Sequence, residues 1–213
     1  MRAIITSSVE YGWRVPAVRY LMVAGAFSGG VGIYVFYALQ PYLLQLWGDS
    51  EAYGIAGLAA AVMAGSQIVG GALASSLRRL FRRRTSALLL AESVGAIVLI
   101  LVGLFPNFWV ALLLIVVTSL LWSMIMPIRQ AYLNDLIPSQ QRATILSFDS
   151  LVNSSGGVVA QPILGRAADV WGYPGSYLLG GAISALTIPF LALSRRQRSP
   201  ADLGAATPAS DPG

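Results

Sequence analysis

The sequence predicts an all-α membrane protein with six transmembrane helices, and two observations carry that prediction. Hydrophobic residues make up 56% of the chain and charged residues only 11%, against about 25% charged in a typical soluble domain. The apolar residues are also gathered into stretches long enough to cross a bilayer, which takes about 20 residues. Because lipid offers the backbone no hydrogen bonds, each stretch has to be a helix. The six stretches are 18–39, 53–75, 86–105, 108–127, 145–165 and 177–193.

The first four stretches differ in the size of their side chains. Gly25, Gly29 and Gly30 lie within the first stretch, and the second is rich in Gly and Ala from Gly54 to Gly71. Small side chains let helix backbones approach closely, so these two helices are predicted to pack tightly against neighbours. The third and fourth stretches are dominated by Leu, Ile and Val, which is typical of long faces in contact with lipid.

The fifth stretch carries Asp149, Asn153, Gly157 and Gln161 at intervals of four residues. That spacing puts them on one face of a helix. We expect this polar face to lie against a cavity or another helix rather than lipid. The sixth stretch, 177–193, has the shortest apolar core.

The helical domain is predicted to span residues 17–194, with a segment outside the membrane at each end. Residues 1–16 form a leader on the cytoplasmic side. Residues 195–213 are rich in Pro, Ala, Gly and Ser and have no apolar periodicity. That composition predicts a disordered tail.

The arginines predict the orientation. The chain contains no lysine. Thirteen of its fourteen arginines fall in the leader, in the connections after helices two and four, or in the tail. With six helices, all of these segments lie on the same side of the membrane. Because the cytoplasmic loops of membrane proteins carry an excess of Lys and Arg, both termini are predicted to be cytoplasmic. The thirteen are Arg2, Arg14, Arg19, Arg78, Arg79, Arg82, Arg83, Arg84, Arg129, Arg142, Arg195, Arg196 and Arg198, and the exception is Arg166.

Composition also argues against several classes of function. The chain has neither cysteine nor histidine, so disulfides and the usual ligands of zinc, haem and iron–sulfur clusters are missing. Catalytic triads that need either residue are excluded as well. We therefore expect no enzyme, no catalytic residues, no metal and no cofactor. The arginines lie at helix ends rather than along one face with aromatic residues, so no nucleic-acid partner is expected either.

Two ionisable residues, Glu92 and Asp149, fall inside the predicted helices, and a third, Arg129, follows the end of the fourth stretch. Glu92 and Asp149 lie roughly 6–10 Å below the cytoplasmic boundary at 1.5 Å per residue, and Arg129 reaches a similar depth from the fourth helix. Because an unpaired charge in a membrane is costly, we expect Arg129 to pair with Asp149 or Glu92. Three interpretations remain open: a structural ion pair between helix ends, a cytoplasmic gate that breaks and re-forms, and a carboxylate that carries protons.

Three stretches of the sequence resemble one known family. Residues 40–44 read Gln-Pro-Tyr-Leu-Leu, residues 71–84 run from Gly-Ala-Leu-Ala-Ser-Ser into a cluster of arginines, and residues 127–138 read Pro-Ile-Arg-Gln-Ala-Tyr-Leu-Asn-Asp-Leu-Ile-Pro. Together with Gly165-Arg166-Ala167-Ala168-Asp169, they resemble the second half of a major facilitator superfamily transporter. The second stretch departs from the family pattern, because Ser75 or Ser76 stands where an Asp is usual.

The resemblance implies one half-bundle of three plus three helices in inverted repeats, with substrate bound between two such halves. It implies a secondary transporter, half-size or partial, that moves a small solute across the cell membrane by alternating access. The alternative is a truncated remnant that does not transport, or a membrane subunit that depends on a partner.

The resemblance also suggests where the site would lie. Helices one and four, similar to family helices seven and ten, would line the cavity and carry its side chains. Helices two and five would face a second six-helix half or a second copy of the chain. The expected cavity residues are Tyr34, Tyr37, Gln40, Trp122 and Met126, and the expected interface residues are Gln67, Asn153 and Gln161.

Overall fold

The computed structural model describes residues 12–203, and in that range it contains helices and no β-strand. This confirms the prediction of an all-α protein. A 3₁₀ turn, Ser139–Gln141, precedes the fifth helix, and another, Pro200–Leu203, follows the sixth. The six α-helices are α1 (Pro16–Trp47), α2 (Tyr53–Leu80), α3 (Arg84–Leu104), α4 (Phe108–Leu136), α5 (Arg142–Ala185) and α6 (Thr187–Arg196).

Five helical runs in the described range are long and apolar enough to cross a membrane. The chain is therefore a multi-pass membrane protein. Four runs are α1 to α4, which contain the first four predicted stretches in whole or nearly so. The fifth run has 58 residues, from Ser139 to Arg196, and contains both of the last two stretches. A straight helix of that length would be about 87 Å long, roughly three times the thickness of the hydrocarbon core.

The long run is not straight, because the chain reverses direction at Gly172. Its backbone there is non-helical, with φ 71° and ψ 173°, a conformation that glycine adopts at little cost. A methyl group at Gly180 would lie 3.9 Å from Leu164, although sixteen residues of straight helix would separate them by about 24 Å. Two antiparallel segments therefore meet at Gly172: α5a (residues 142–171) and α5b (residues 173–185), which leads into α6.

Glycines set the contact between α1 and α5a. A methyl group at Gly30 would lie 2.6 Å from the carbonyl oxygen of Gly156, and one at Gly29 would lie 3.1 Å from the carbonyl oxygen of Asn153. The two backbones touch, as expected for small residues between membrane helices. α2 behaves differently. Gly70 packs against α4 at Leu120, but Gly57 has no neighbour within 4 Å of an added methyl group.

The remaining helices form the back of the bundle. α3 packs against α4, α5b and α6, and α6 packs against α1. The buried side chains fall into two clusters, one above the other. The first cluster includes Leu21, Tyr132 and Ile145, and the second cluster includes Tyr42, Val102 and Tyr177.

The segment Pro200–Leu203, which we call the tail strap, folds back onto the start of α3. The carboxylate of Asp202 accepts hydrogen bonds from the backbone N–H of Thr85 at 2.8 Å and from its hydroxyl at 2.9 Å. Asp202 is only 2% exposed, and Arg78 donates to the carbonyl oxygen of Leu203 at 3.3 Å. Arg83, the residue before α3, gives no side-chain cap, so Asp202 supplies one.

The tail strap differs from the predicted disordered tail of 195–213. α6 continues to Arg196, and Asp202 is buried because it satisfies free N–H groups at a helix start. The helix dipole also favours a carboxylate at that place. Residues 204–213 of the predicted tail and residues 1–11 of the predicted leader lie outside the described range.

Removing the carboxylate of the tail strap should destabilise the fold. We expect Asp202→Ala to lower the free energy of unfolding by about 1 kcal/mol, the usual value of a helix cap. Asp202→Asn keeps an acceptor oxygen and should retain most of the stability. Thermal unfolding of the purified protein in detergent would measure both. The exposed Asp169→Ala serves as control, and equal stability of the Asp202→Ala and Asp169→Ala proteins would contradict the role of the cap.

Candidate functional site

The centre of the bundle holds an ion pair between α4 and α5a. The guanidinium of Arg129 donates to both carboxylate oxygens of Asp149, with Nη1 to Oδ2 at 2.8 Å and Nη2 to Oδ1 at 2.7 Å. Arg129 is 9% exposed and Asp149 3% exposed. Two parallel charge-assisted bonds fix the direction of both side chains. The pair therefore ties one point of α4 to one point of α5a.

The same contact includes α1, because the guanidinium lies against Gly25. A methyl group at Gly25 would be 2.7 Å from Nη2 of Arg129 and 2.6 Å from the side-chain oxygen of Asn153. A larger residue at position 25 would require the guanidinium or the amide to move. From the sequence, Gly25 is expected only to allow close helix packing, and its contact with the guanidinium is not predicted. No feature of the sequence distinguishes it from Gly29 or Gly30.

Asn153 belongs to this contact. Its side-chain nitrogen donates to the carbonyl oxygen of Asp149 at 2.8 Å, and its amide lies against Gly25 of α1. Asn153, one of the three expected interface residues, thus contacts α1 while its side chain stays partly exposed. This face of α5a packs closely against α1. Gln67 and Gln161, the other two expected interface residues, are exposed.

Glu92 stands apart from the ion pair. It shares a depth with Arg129, and Arg129 attracts it electrostatically, but Asp149 occupies both terminal nitrogens of the guanidinium. Within residues 12–203 the structure gives Glu92 no salt bridge and no side-chain hydrogen bond. It lines a cavity of about 80 Å³ enclosed mainly by α1, α3 and α4.

Of the five expected cavity residues, Trp122 lines the same cavity as Glu92. Tyr37 and Gln40 line a second, open groove of about 430 Å³ between α1 and α2, together with Gln67. Tyr37 is 68% exposed and Trp122 53% exposed. The structure thus divides these side chains between two neighbouring concave surfaces, one on each side of α1.

Tyr34 and Met126 are the two that the structure places elsewhere. Tyr34 is buried, its hydroxyl donates to the hydroxyl of Ser176 at 2.6 Å, and its ring meets that of Tyr177 edge to face. It points toward α5b because a buried hydroxyl needs a partner. Met126 is partly buried and lines neither concave surface.

Comparison with known families gives a match over almost the whole chain. A family model described as Major Facilitator Superfamily matches residues 9–211. It is the family that the motifs of residues 40–44, 71–84 and 127–138 resemble. No curated protein matches the sequence.

Breaking the central ion pair should be costly, because it leaves a buried charge without a partner. We expect Arg129→Gln or Asp149→Asn alone to lower the free energy of unfolding by about 3–5 kcal/mol. The double variant should recover part of that loss. A double-mutant cycle on thermal or denaturant unfolding would measure the coupling.

A second ion pair provides the matched control. Arg84 and Asp135 also join two helices, at 2.8 Å, but their side chains are 11% and 32% exposed. Because the carboxylate of Asp135 is partly exposed to solvent screening, this pair should couple more weakly than Arg129 and Asp149 do. Equal coupling in the two cycles would show that Arg129 and Asp149 gain nothing from their burial.

Proposed function

Because the chain belongs to the major facilitator superfamily, we propose that it forms one half of a secondary transporter. The half would move a small solute by alternating access against a second six-helix half. The observation that carries this proposal is the exposure of aromatic and polar side chains on α1 and α4, namely Tyr37, Gln40 and Trp122. Such groups are typical of a ligand pocket, and here they form one wall of it.

The proposed architecture has six spans, arranged as two inverted repeats of three. The reversal at Gly172 supports it, because α5a and the run from α5b to α6 then cross the membrane in opposite directions. The arginine distribution supports cytoplasmic termini. We place the protein in the cell membrane on the same ground.

The ion pair of Arg129 and Asp149 is proposed to hold one bundle together rather than to open and close. Both residues belong to the same bundle. Their two parallel hydrogen bonds and the close contact with Gly25 favour one fixed arrangement of the three helices. In alternating access one bundle rocks against the other around the site. A contact inside a single bundle would move with it unchanged.

The face that would meet the second half consists of one side of α2 and one side of α5a, and we call it the docking face. Only 17% of the apolar core of α2 is buried, against 44% in α1. Small residues on α2 and polar or branched residues on α5a allow close packing and hydrogen bonds between helices. The docking face is formed by Gly57, Ala61, Ala64, Gln67 and Gly71 of α2 and by Ser154, Val158 and Gln161 of α5a.

A non-transporting membrane subunit that depends on a partner, or a truncated remnant, is the second candidate. It is favoured by the same open docking face, because a half-bundle alone encloses only one side of a transport path. We propose no enzymatic activity, since members of this family are generally transporters.

Labelling of single cysteines tests the topology, and the chain has no native cysteine to interfere. Cysteines at Ser50 and Asp169 should react with an impermeant reagent from outside intact cells. Cysteines at Arg82 and Gln197 should react only after permeabilisation. If the run from Ser139 to Arg196 crossed the membrane once, Gln197 would label together with Ser50 and six spans would be wrong.

Association and transport test the functional proposal together. We expect the purified chain to self-associate in lipid nanodiscs. In liposomes that are tested with a panel of small solutes, we expect transport only when two copies of the half-bundle are associated. Ala61→Trp on the docking face should weaken self-association about tenfold or more, since a bulky side chain prevents close helix packing.

Ile97→Trp is the control, because Ile97 is exposed on α3, away from the docking face. It should associate and transport like the unchanged chain. A chain that remains monomeric and still transports would overturn the two-half proposal. Association without transport of any solute would favour the non-transporting subunit.

A further inference from the structure

Glu92 lies on the inner side of α3. Leu90, Ile97 and Leu104 are exposed and share one face of that helix, which is the face toward lipid. Glu92 falls on the opposite face at 3.6 residues per turn. Its side chain is therefore directed into the bundle, where it borders the cavity of about 80 Å³.

The cavity lies where the two buried clusters meet. Ala91 and Ile125 of its wall belong to the first cluster, and Val31 and Leu99 belong to the second cluster. A volume of this size holds a few water molecules or one small ion, since a single water needs about 10–15 Å³. Trp122, which is 53% exposed, borders the cavity from α4.

Two hydroxyl side chains of the cavity wall, those of Ser28 and Thr118, are oriented by hydrogen bonds to their own helices. The hydroxyl of Ser28 donates to the carbonyl oxygen of Ala24 at 3.4 Å, and that of Thr118 donates to the carbonyl oxygen of Leu114 at 3.0 Å. A hydroxyl has one hydrogen and two lone pairs. Because each hydroxyl hydrogen is donated to a carbonyl oxygen of the same helix, both hydroxyl oxygens keep lone pairs that can bind a positively charged ligand.

Charge decides the kind of ligand. Arg129 and Asp149 neutralise each other, so the carboxylate that borders this cavity, Glu92, has no bonded cation of its own among the described residues. A single carboxylate with neutral oxygens around it balances a monovalent cation, while a divalent ion would need more acidic ligands. The indole of Trp122 adds an aromatic surface that attracts cations.

We propose that this cavity is a binding site for a small monovalent cation of the Na⁺ type, with Glu92 as its charged ligand. A role of the bound cation in driving or accompanying transport rests on the proposed function, but the binding itself does not.

The test is a titration of the full chain in lipid nanodiscs with NaCl, with choline chloride making up constant ionic strength. We expect the thermal unfolding temperature of the unchanged protein to rise with Na⁺, because a ligand that binds only the folded state stabilises it. In Glu92→Gln the apparent Kd for Na⁺ should increase about tenfold or more, since a charge-assisted contact is lost.

Two further variants complete the experiment. Glu51→Gln removes an exposed carboxylate in the outer connection and should respond to Na⁺ like the unchanged chain. Thr118→Val keeps the shape of the cavity wall and removes one acceptor oxygen. It should also weaken Na⁺ binding, and it provides the readout should Glu92→Gln fail to fold.

Two results would overturn the site: an unfolding temperature that is unaffected when Na⁺ replaces choline, or variants at Glu92 and Thr118 that keep the full response. Transport assays in liposomes then separate this inference from the functional proposal. A Na⁺ response without transport would keep the site and remove the transporter. Transport without a Na⁺ response would keep the transporter and remove the site.

Discussion

The contact of Arg129, Asp149 and Gly25 fixes the arrangement of three helices at once. The guanidinium reaches from α4 to the carboxylate of α5a across a part of α1 that has no side chain. The same part of α1 continues into its contact with α5a. From that point outward, glycines and carbonyl oxygens meet turn by turn, at Gly29 with Asn153 and at Gly30 with Gly156. The buried charge contact and the close backbone packing therefore hold the same pair of helices in one register.

This contact also separates two uses of charge inside the membrane. A carboxylate that is bound by two nitrogens of an arginine is not available to a ligand, and the pair contributes no net charge. Glu92 has the same chemistry but borders a cavity. The bundle thereby assigns one carboxylate to holding its helices together and leaves the other facing open space. Burial alone does not distinguish the two, whereas the presence of a fixed partner does.

The sequence was informative about position along the membrane normal and uninformative about direction around each helix. Counting residues from the helix ends put Arg129, Asp149 and Glu92 at one depth, and the apolar stretches gave the helical class. Which carboxylate Arg129 meets depends on which helix lies beside α4, and that is decided by packing between residues far apart in sequence. Tyr34 and Tyr37 show the same limit. They lie three residues apart on α1, yet one is buried against Tyr177 and the other is exposed, because α5b covers only one side.

The tail strap has a consequence for the order in which the protein is made. Thr85 and Asp202 are separated by 117 residues, so the ribosome adds Thr85 long before it reaches the residue that caps α3. At about 5–20 residues per second, the time between the synthesis of Thr85 and that of Asp202 is roughly 6–23 seconds. During it, α3, α4 and α5a have all been synthesised while the start of α3 still lacks its partner. The last hydrogen bonds of the bundle therefore form only after the final helix has been translated, and a chain that stops short of Asp202 never acquires them.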